Sequence, residues 1–309
     1  MNIFKTFLTT VILLSSLNSW SAAAENNFAW PTFPGGVLDS GCRILWKEYD
    51  TRYNTTTTVM PGKPGLSGGL VVDEMLRSNK PNSFVCMGPS QFILNPLIFP
   101  GRTNEDQLEP LVFATRYAWV VYTPANVSVS SFKDLIKHFQ SLNRPINVGT
   151  FLPIFNILEP IFKKHGIKVN LVNFKNVAQQ YPSLADGSLD LAFDPGPGVH
   201  IANQTKKFKA VGYIDLATNS FLPDLKNFAD AEPDLKALMV AGGMIVAAHR
   251  SMPASEKKLI TERLLKIINS ESFKTSLAAF NNQPFGMTAP ELFYYIETNR
   301  RIITRYWKQ

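Results

Sequence analysis

The chain has 309 residues, of which 45% are hydrophobic and 18% are charged, a balance typical of a folded protein and not of a disordered one. This length allows one large core or two domains, and two domains are the expectation. Lysine and arginine number 31 against 24 acidic residues, but the basic residues are scattered in pairs and form no stripe with aromatics, which disfavours nucleic-acid binding. The paired basic residues are interpreted mainly as solvated surface, and the net charge of +7 could also raise the association rate of small anions.

The first predicted element is a secretory leader over residues 1–24. Lys5 supplies a positive charge, residues 7–17 are mostly apolar, and Ala22, Ala23 and Ala24 form a cleavage site of small residues. The apolar core of this leader is too short to span a bilayer. The sequence therefore predicts a protein that is exported to the periplasm and cleaved near Ala24.

The segment that follows, residues 31–43, reads as a glycine-rich loop that opens a helix. Gly35 and Gly36 come directly before the apolar stripe of this helix. A glycine pair at a helix start leaves backbone N–H groups uncovered at the positive end of the helix dipole, where they can hold an anion. The alternative is that both glycines only permit a tight turn from strand to helix.

Two cysteines follow, and both are expected in the same domain. Cys42 lies on the apolar face of the first helix, and Cys86 lies within a strand-like segment. Export permits a disulfide, whereas buried cysteine also serves as a small hydrophobe. The sequence cannot fix the Cα separation that a disulfide needs, so both alternatives stay open, with two buried free thiols slightly preferred.

The rest of the chain alternates between helical and strand-like patterns, which is typical of an α/β protein with mostly parallel sheets. Later helices are predicted to begin at Ser131, at Pro253 and at Thr288, the last with Pro290 and Glu291 in its first turn. The predicted strands are 83–87, 110–114, 117–122, 146–149, 168–173, 189–193, 209–213 and 239–248.

Two segments, residues 119–126 and 244–253, read as crossings between domains, because each has a buried strand, a loop with proline and then a helix. The predicted lobes are residues 25–123 plus 244–309 for lobe 1 and residues 124–243 for lobe 2. The hinge would lie near residues 122–124 and 243–248. Such a hinge leaves a cleft between the lobes, where small ligands usually bind.

Six groups of motifs occur in order after the leader: residues 34–39 with Arg43, 64–68, 88–91 with Asn95 and Pro96, 184–194, 208–213, and 222–225. In this order they resemble the Bug-type extracytoplasmic solute receptors of tripartite tricarboxylate transporters, over nearly the whole chain. The resemblance implies a type II periplasmic-binding fold, with two lobes of mixed, mostly parallel sheets that are joined by a two-crossing hinge.

The resemblance further implies a site that closes on a small carboxylate, held mainly by backbone amides and hydroxyls. It implies neither a cofactor nor a metal nor a catalytic residue. The ligand contacts that it implies come from both lobes: Phe33, Gly35, Gly36, Val37, Ser90 and Gln91 in the first, and Thr150, Phe151 and Asp194 in the second.

Two acidic residues near this site have other interpretations. Asp39, in the first turn of a helix, is predicted to stabilise the helix N-terminus and not to contact a ligand. Asp194 either contacts the ligand, for example an amino group, or accepts hydrogen bonds from loop amides.

The chain departs from the family in two places. The family has a longer first strand before the glycine loop, so either that strand is cut short here or the leader is cleaved earlier. The family's second-lobe loop is rich in glycine and serine, whereas residues 148–154 are apolar here. This difference suggests a more hydrophobic or differently shaped ligand.

The predicted function is capture of a small organic anion and its delivery to the permease subunits of a tripartite transporter, by a receptor that works as a monomer. The alternative is presentation of the ligand to a membrane sensor kinase. An exported enzyme is disfavoured, because the four histidines are spread out and the sequence has no G-x-S-x-G, C-x-x-C or P-loop motif.

Overall fold

The structure is a computed structural model that describes residues 26–63, 65–175, 177–195, 198–278 and 280–307. The predicted leader, Pro64 of the second glycine motif and the pair Gly196 and Pro197 lie outside the described residues. None of the helices in the described part combines the length and the apolar character that a membrane span needs.

Strands and helices alternate through the chain, and several short 3₁₀ helices lie between them. The 3₁₀ helices are Leu66–Gly68, Glu105–Gln107, Pro153–Ile157, Val177–Gln179, Phe228–Asp230 and Pro233–Ala241. The strands and α-helices are, in order, β1 (Asn26–Pro31), α1 (Val37–Tyr53), β2 (Thr56–Val59), α2 (Gly69–Ser78), β3 (Ser83–Met87), α3 (Pro89–Ile98), β4 (Leu108–Tyr117), β5 (Trp119–Pro124), α4 (Phe132–Ser141), β6 (Ile146–Thr150), α5 (Leu158–Lys164), β7 (Val169–Asn173), α6 (Gln180–Ala185), β8 (Ala192–Asp194), α7 (Gly198–Thr205), β9 (Phe208–Ile214), β10 (Gly243–His249), α8 (Ala254–Ile268), α9 (Glu271–Ala278), β11 (Asn282–Thr288) and α10 (Ala289–Trp307).

A six-stranded sheet is built from the two ends of the described chain, in the order β11-β4-β10-β3-β1-β2. β1 pairs in parallel with β2 and β3, while β10 pairs antiparallel with β3 and β4, and β11 pairs antiparallel with β4. In the parallel pair β1–β3 the two carboxyl ends therefore meet at one edge of the sheet.

The middle of the chain forms two smaller sheets. β5 lies between β8 and β9 and is antiparallel to both, whereas β6 and β7 are parallel. A parallel bridge between Val148 and Leu191 connects β6 to the start of β8. The sheets are therefore mixed, as predicted, but antiparallel pairing is more extensive than the predicted mostly parallel arrangement, because both crossing strands enter their sheets antiparallel to their neighbours.

The chain passes between the large sheet and the smaller ones at Ala118 and after Ala241. β4 ends at Tyr117 in the large sheet and β5 begins at Trp119 in the three-stranded sheet, while the Tyr117 amide donates to the Gly242 carbonyl at 2.8 Å. The predicted strand 239–248 is wrong at its start, because residues 239–241 belong to a 3₁₀ helix and β10 begins at Gly243. β5 pairs with β8 and β9 of the middle part of the chain. The chain therefore leaves the large sheet a few residues before the predicted boundary at residue 123.

The predicted helix starts are confirmed. The hydroxyl of Ser131 accepts the Asp134 amide at 3.1 Å at the start of α4, and Pro253 precedes the first residue of α8. At the start of α10, the Glu291 carboxylate accepts the Thr288 amide at 3.4 Å, and this is the contact that a capping box makes.

The predicted strands have a mixed outcome. Strand 83–87 is confirmed at both ends, and most of the others overlap observed strands, but only residues 192–194 of the region around 189–193 form a strand. The first strand is present as the six residues of β1 and pairs on both sides. β2 and β11 were not predicted.

Cys42 and Cys86 form a disulfide that joins α1 to β3, with their Cα atoms 5.9 Å apart. The slight preference for free thiols was therefore wrong. The physical reason is that α1 packs against β3, which brings the two Cα atoms within the range that a disulfide requires. Cys42 lies on α1 and Cys86 on β3 of the large sheet, against which α1 packs. The expectation that both cysteines share a domain is therefore consistent with the fold.

Candidate functional site

The residues predicted for the first lobe come together at the carboxyl edge of the β1–β3 pair. The Thr32 amide donates to the Cys86 carbonyl at 3.1 Å, so the two strands leave the sheet side by side. Phe33 to Val37 then lead into α1, and Ser90 and Gln91 lie in the first turn of α3. The parallel pairing thus places two helix starts next to each other.

The start of α1 has backbone amides that no side chain caps. Gly36 is the N-cap residue and, having no side chain, accepts no capping hydrogen bond. Its own amide donates to the Phe33 carbonyl at 3.3 Å, and Gly35 adopts a φ of 73°, which favours glycine. The glycine pair therefore makes the tight turn of the alternative interpretation, and it leaves the amide of Val37 at the open end of the helix, where N–H groups lack intrahelical partners.

The Asp39 side chain accepts hydrogen bonds from this loop and from α1. Its carboxylate accepts the Gly35 amide at 2.8 Å and the Arg43 Nε–H at 2.8 Å. The carboxylate therefore stabilises the turn and the first part of α1, as the interpretation of Asp39 as a helix stabiliser expected. The Gly35 amide, which the resemblance implied as a ligand contact, is already occupied by Asp39.

Gln91 fixes three segments of the first lobe to one another. Its Oε1 accepts the Gly88 amide at 2.7 Å and the Thr32 hydroxyl at 3.1 Å, and its Nε2 donates to the Ser67 carbonyl at 3.0 Å. The residue is only 1% exposed. Gln91 is therefore engaged within the protein, whereas Ser90 beside it is half-buried. Sequence reasoning missed the partners Thr32 and Ser67, because no local pattern connects them to Gln91.

The residues predicted for the second lobe share the carboxyl edge of β6 and β8. The Gly149 amide donates to the Leu191 carbonyl at 2.8 Å, which sets Thr150 near the end of β8. Thr150 is buried, and its hydroxyl donates to the Val172 carbonyl at 3.4 Å. Phe151 packs edge-on against Trp119, with the ring centroids 5.6 Å apart. The Thr150 hydroxyl is thus used within the lobe, and Phe151 supplies an apolar wall.

Asp194 is fully buried at the end of β8. Both of its carboxylate oxygens lie 3.2 Å from the Gly198 amide, and the Tyr181 hydroxyl donates to one of them. These contacts support the interpretation of Asp194 as an acceptor for a loop amide. Burial, and then the Asp194 charge, raise the pKa of the Tyr181 hydroxyl, so it stays protonated and remains a donor. Sequence reasoning gave no signal for Tyr181.

An apolar contact joins the segment after β6 to the large-sheet side. The 3₁₀ helix Pro153–Ile157, which follows Thr150 and Phe151, contacts α3 and α10 on the large-sheet side. Ile154 and Phe155 of this helix are fully buried, in one apolar cluster with Trp30 and Phe92. The apolar segment that departs from the family's loop therefore packs against the large-sheet side of the protein.

A groove of 720 Å³ lies elsewhere, between β11 and α10. It is lined by Phe285, Gly286, Met287, Pro290, Glu291, Tyr294, Tyr295, Thr298 and Asn299. None of the nine residues predicted as ligand contacts lines this groove, so it is separate from the two strand edges described above.

Comparison with solved structures places this geometry in a known fold. A protein of R. palustris solved with adipate superposes with a TM-score of 0.74 at 17% identity, over 94% of this chain and 97% of the other. MatC from Rhodopseudomonas palustris with bound malate gives 0.66 at 14% identity, over 93% and 98%. The periplasmic binding protein BugD gives 0.68 at 16% identity, over 91% and 95%.

The chain has the fold of the periplasmic solute-binding proteins. The predicted fold class is confirmed, and these structural neighbours are of the same kind as the receptors that the sequence motifs resemble. No family model matches the sequence, and no curated protein matches it. Ligands of open α/β sheets bind outside the carboxyl ends of strands, and the predicted contact residues lie at such ends of β1, β3, β6 and β8.

Proposed function

We propose that this protein is an exported receptor that captures a small organic carboxylate between two lobes and delivers it to a membrane transporter. The observation that carries this proposal is the uncapped start of α1 at the carboxyl end of β1, in a fold whose solved neighbours include carboxylate-bound proteins. An open helix N-terminus offers amides and the positive end of a dipole to an anion.

The lobes of this proposal follow the sequence prediction, residues 25–123 with 244–309 and residues 124–243, with the first boundary moved to Ala118, where the chain leaves the large sheet. Ligand contacts in the first lobe come from Phe33, Val37 and Ser90, while Gly36, whose amide donates to the Phe33 carbonyl, shapes the turn and Gln91 and Asp39 hold the loops in place. In the second lobe, Phe151 lines the site and Asp194 holds its loop through the Gly198 amide. Backbone amides bind a carboxylate without a buried counter-charge, so release stays easy.

The ligand class follows from the apolar wall. A carboxylate whose body is a methylene chain can bury that chain against the half-buried Phe151, Leu152 and Pro153, which would contribute about 0.8 kcal/mol per buried methylene. A short hydroxylated acid would have to desolvate its hydroxyl at the same wall. We therefore expect adipate to bind more tightly than malate.

Delivery requires an exported protein, and the leader cleaved near Ala24 is part of the proposal. Intact-mass measurement of the protein purified from the periplasm tests this step separately. Presentation of the ligand to a sensor kinase would use the same capture step, so capture is what the main experiment addresses.

The main experiment is calorimetric titration and thermal denaturation of the mature protein with adipate, malate and a panel of other mono-, di- and tricarboxylates. A ligand at 100 times its dissociation constant should stabilise the fold by about 2.7 kcal/mol. Stabilisation by a single carboxylate class supports the proposal, and no response to any carboxylate contradicts it.

The helix start is tested by Val37→Pro. Proline at the first helical position removes one amide hydrogen and is otherwise well suited to a helix start, so the variant should fold normally and bind adipate more weakly. Ala254→Pro, at the first position of α8, is the matched control and should bind like the parent protein. Unchanged affinity in Val37→Pro would remove this amide from the site.

A further inference from the structure

A closed ring of hydrogen bonds joins the large sheet to the loop that follows β9. Arg116 Nη1 donates to Asp215 Oδ1, and Asn219 Nδ2 donates to Asp215 Oδ2 at 3.1 Å. Gln283 Nε2 donates to Asn219 Oδ1 at 3.0 Å, and Arg116 Nη2 donates to Gln283 Oε1 at 2.9 Å, which closes the ring. Arg116 and Gln283 come from β4 and β11, whereas Asp215 and Asn219 come from the loop.

The ring lies at the place where the chain crosses between sheets. Arg116 is opposite Gly243 in the β4–β10 pair, directly before the crossing at Ala118. Asp215 directly follows Ile214, which is the partner of Trp119 in the three-stranded sheet. The ring therefore connects the end of β4, just before the first crossing, to the loop beside the start of β5, just after it. The second crossing, at the start of β10, lies next to Arg116.

The ring is buried and its loop side is held firmly. Asp215 is fully buried and Arg116 is 8% exposed. Asp215 Oδ1 also accepts the Leu216 amide at 2.7 Å, and the Asp215 amide and carbonyl both bond to the Asn227 side chain. A charged pair in such a place is shielded from water and salt, and its directional bonds resist rotation of one sheet against the other.

We propose that Arg116, Asp215, Asn219 and Gln283 are positioning residues that set the angle between the two lobes, so that the cleft walls meet in one orientation. The ring is close to the crossing, where bending of the hinge moves atoms least. It therefore permits opening and closing but restricts twisting of the lobes. This inference rests on the proposed function only in its biological purpose, because the restriction itself is a property of the ligand-free protein.

The test measures the spread of distances between the lobes without ligand. Spin labels are placed at Lys47→Cys on α1 and Lys137→Cys on α4, two exposed helix positions on opposite sides of the crossing, and the native cysteines remain in their disulfide. Pulsed electron–electron double resonance then gives the distribution of distances between the two labels. Two variants open the ring: Gln283→Leu, which leaves the charged pair intact, and the double change Arg116→Met with Asp215→Asn, which removes both charges.

The matched control is Arg144→Met. Arg144 makes a bidentate pair with Asp190 at 2.7 and 2.8 Å, the same chemistry as the ring but confined to the second lobe. We expect a broader interlobe distribution in at least one folded ring variant and an unchanged one in the control. Unchanged width in both ring variants, or equal broadening in Arg144→Met, would overturn the proposal. The carboxylate titrations report on the proposed function independently of this result.

Discussion

The side-chain oxygen of Gln91 accepts the backbone amide of Gly88 at 2.7 Å, across the first turn of α3. The same oxygen accepts the Thr32 hydroxyl, and the amide nitrogen donates to the Ser67 carbonyl. One buried side chain thus connects the ends of β1 and β3 to the turn before α2. These contacts indicate that Gln91 holds the predicted first-lobe loops in position without contacting the ligand itself.

Gln91→Leu should therefore destabilise the protein and weaken ligand binding together. The Gly88 amide and the Ser67 carbonyl lose their partner, and an unsatisfied buried group costs about 1–3 kcal/mol. Urea denaturation measures the loss of unfolding free energy, and calorimetry with adipate measures the affinity. Gln140→Leu is the control, because Gln140 is exposed and makes one bond to the His165 carbonyl. Equal stability of the two variants would contradict the role given to Gln91.

Two tyrosines beside Asp194 should respond in opposite ways to loss of their hydroxyl. Tyr181 donates to the Asp194 carboxylate, whereas the buried Tyr122 hydroxyl has no hydrogen-bond partner among the described residues. Tyr181→Phe leaves a buried carboxylate with one donor fewer and should cost about 1.5–3 kcal/mol. Tyr122→Phe removes an unsatisfied polar group and should be neutral or stabilising. Thermal and urea denaturation of both variants test this order, and a larger loss in Tyr122→Phe would contradict it.

The sequence predicted those parts of the fold that depend on local patterns. The start of α4 at Ser131 and the strand 83–87 follow from a capping residue and from a continuous apolar run, so neighbouring residues suffice to find them. β2 and β11 were missed for different reasons. β2 has strand-favouring threonines and a valine, but it is only four residues long and lacks an alternation of apolar and polar residues. β11 contains a proline and a glycine, which are tolerated because it is an edge strand.

The candidate site shows the same division. The glycine loop before α1 was found because its turn is local. The roles of Gln91 and Arg116 were not, because Gln91 meets Thr32 across 59 positions and Arg116 meets Asp215 across 99. Such contacts depend on which strands become neighbours, and a single sequence does not specify that. The disulfide belongs to this class as well, since it depends on how α1 packs on β3.

The Cys42–Cys86 disulfide should contribute substantially to stability. It closes a segment with a sequence separation of 44, and a cross-link of that span restricts the unfolded chain enough to stabilise the fold by about 4 kcal/mol. The double variant Cys42→Ala with Cys86→Ala, and the parent protein after reduction, should therefore unfold at a lower urea concentration. Agreement between these two samples separates the effect of the cross-link from that of side-chain truncation. An unchanged midpoint in the reduced protein would contradict the prediction.

Glu105 should make stability depend on pH in a direction opposite to that of most paired carboxylates. Its side chain is 2% exposed, and burial raises its pKa above the usual 4.5, although hydrogen bonds from Asn95 and Thr103 partly oppose this. The Asn95 amide donates to one carboxyl oxygen at 2.5 Å, but burial of the carboxyl outweighs the effect of this hydrogen bond on its pKa. Folding therefore favours the protonated form of Glu105 more than the unfolded chain does.

The direction in which the free energy of unfolding changes with pH follows from the difference in proton binding between the folded and unfolded chains. Well below pH 4.5 the carboxyl is protonated in both folded and unfolded chains and contributes no pH dependence. As the pH rises from 4.5 through the raised folded pKa, only the unfolded chain ionises freely, so the free energy of unfolding falls. Glu105→Gln keeps an acceptor for Asn95 and cannot ionise, so its stability relative to the parent protein should increase from acid to neutral pH.

Urea denaturation of both proteins across this pH range measures that difference. A constant difference for Glu105→Gln would show that Glu105 titrates alike in the folded and unfolded chains, since only a shifted pKa can produce a slope.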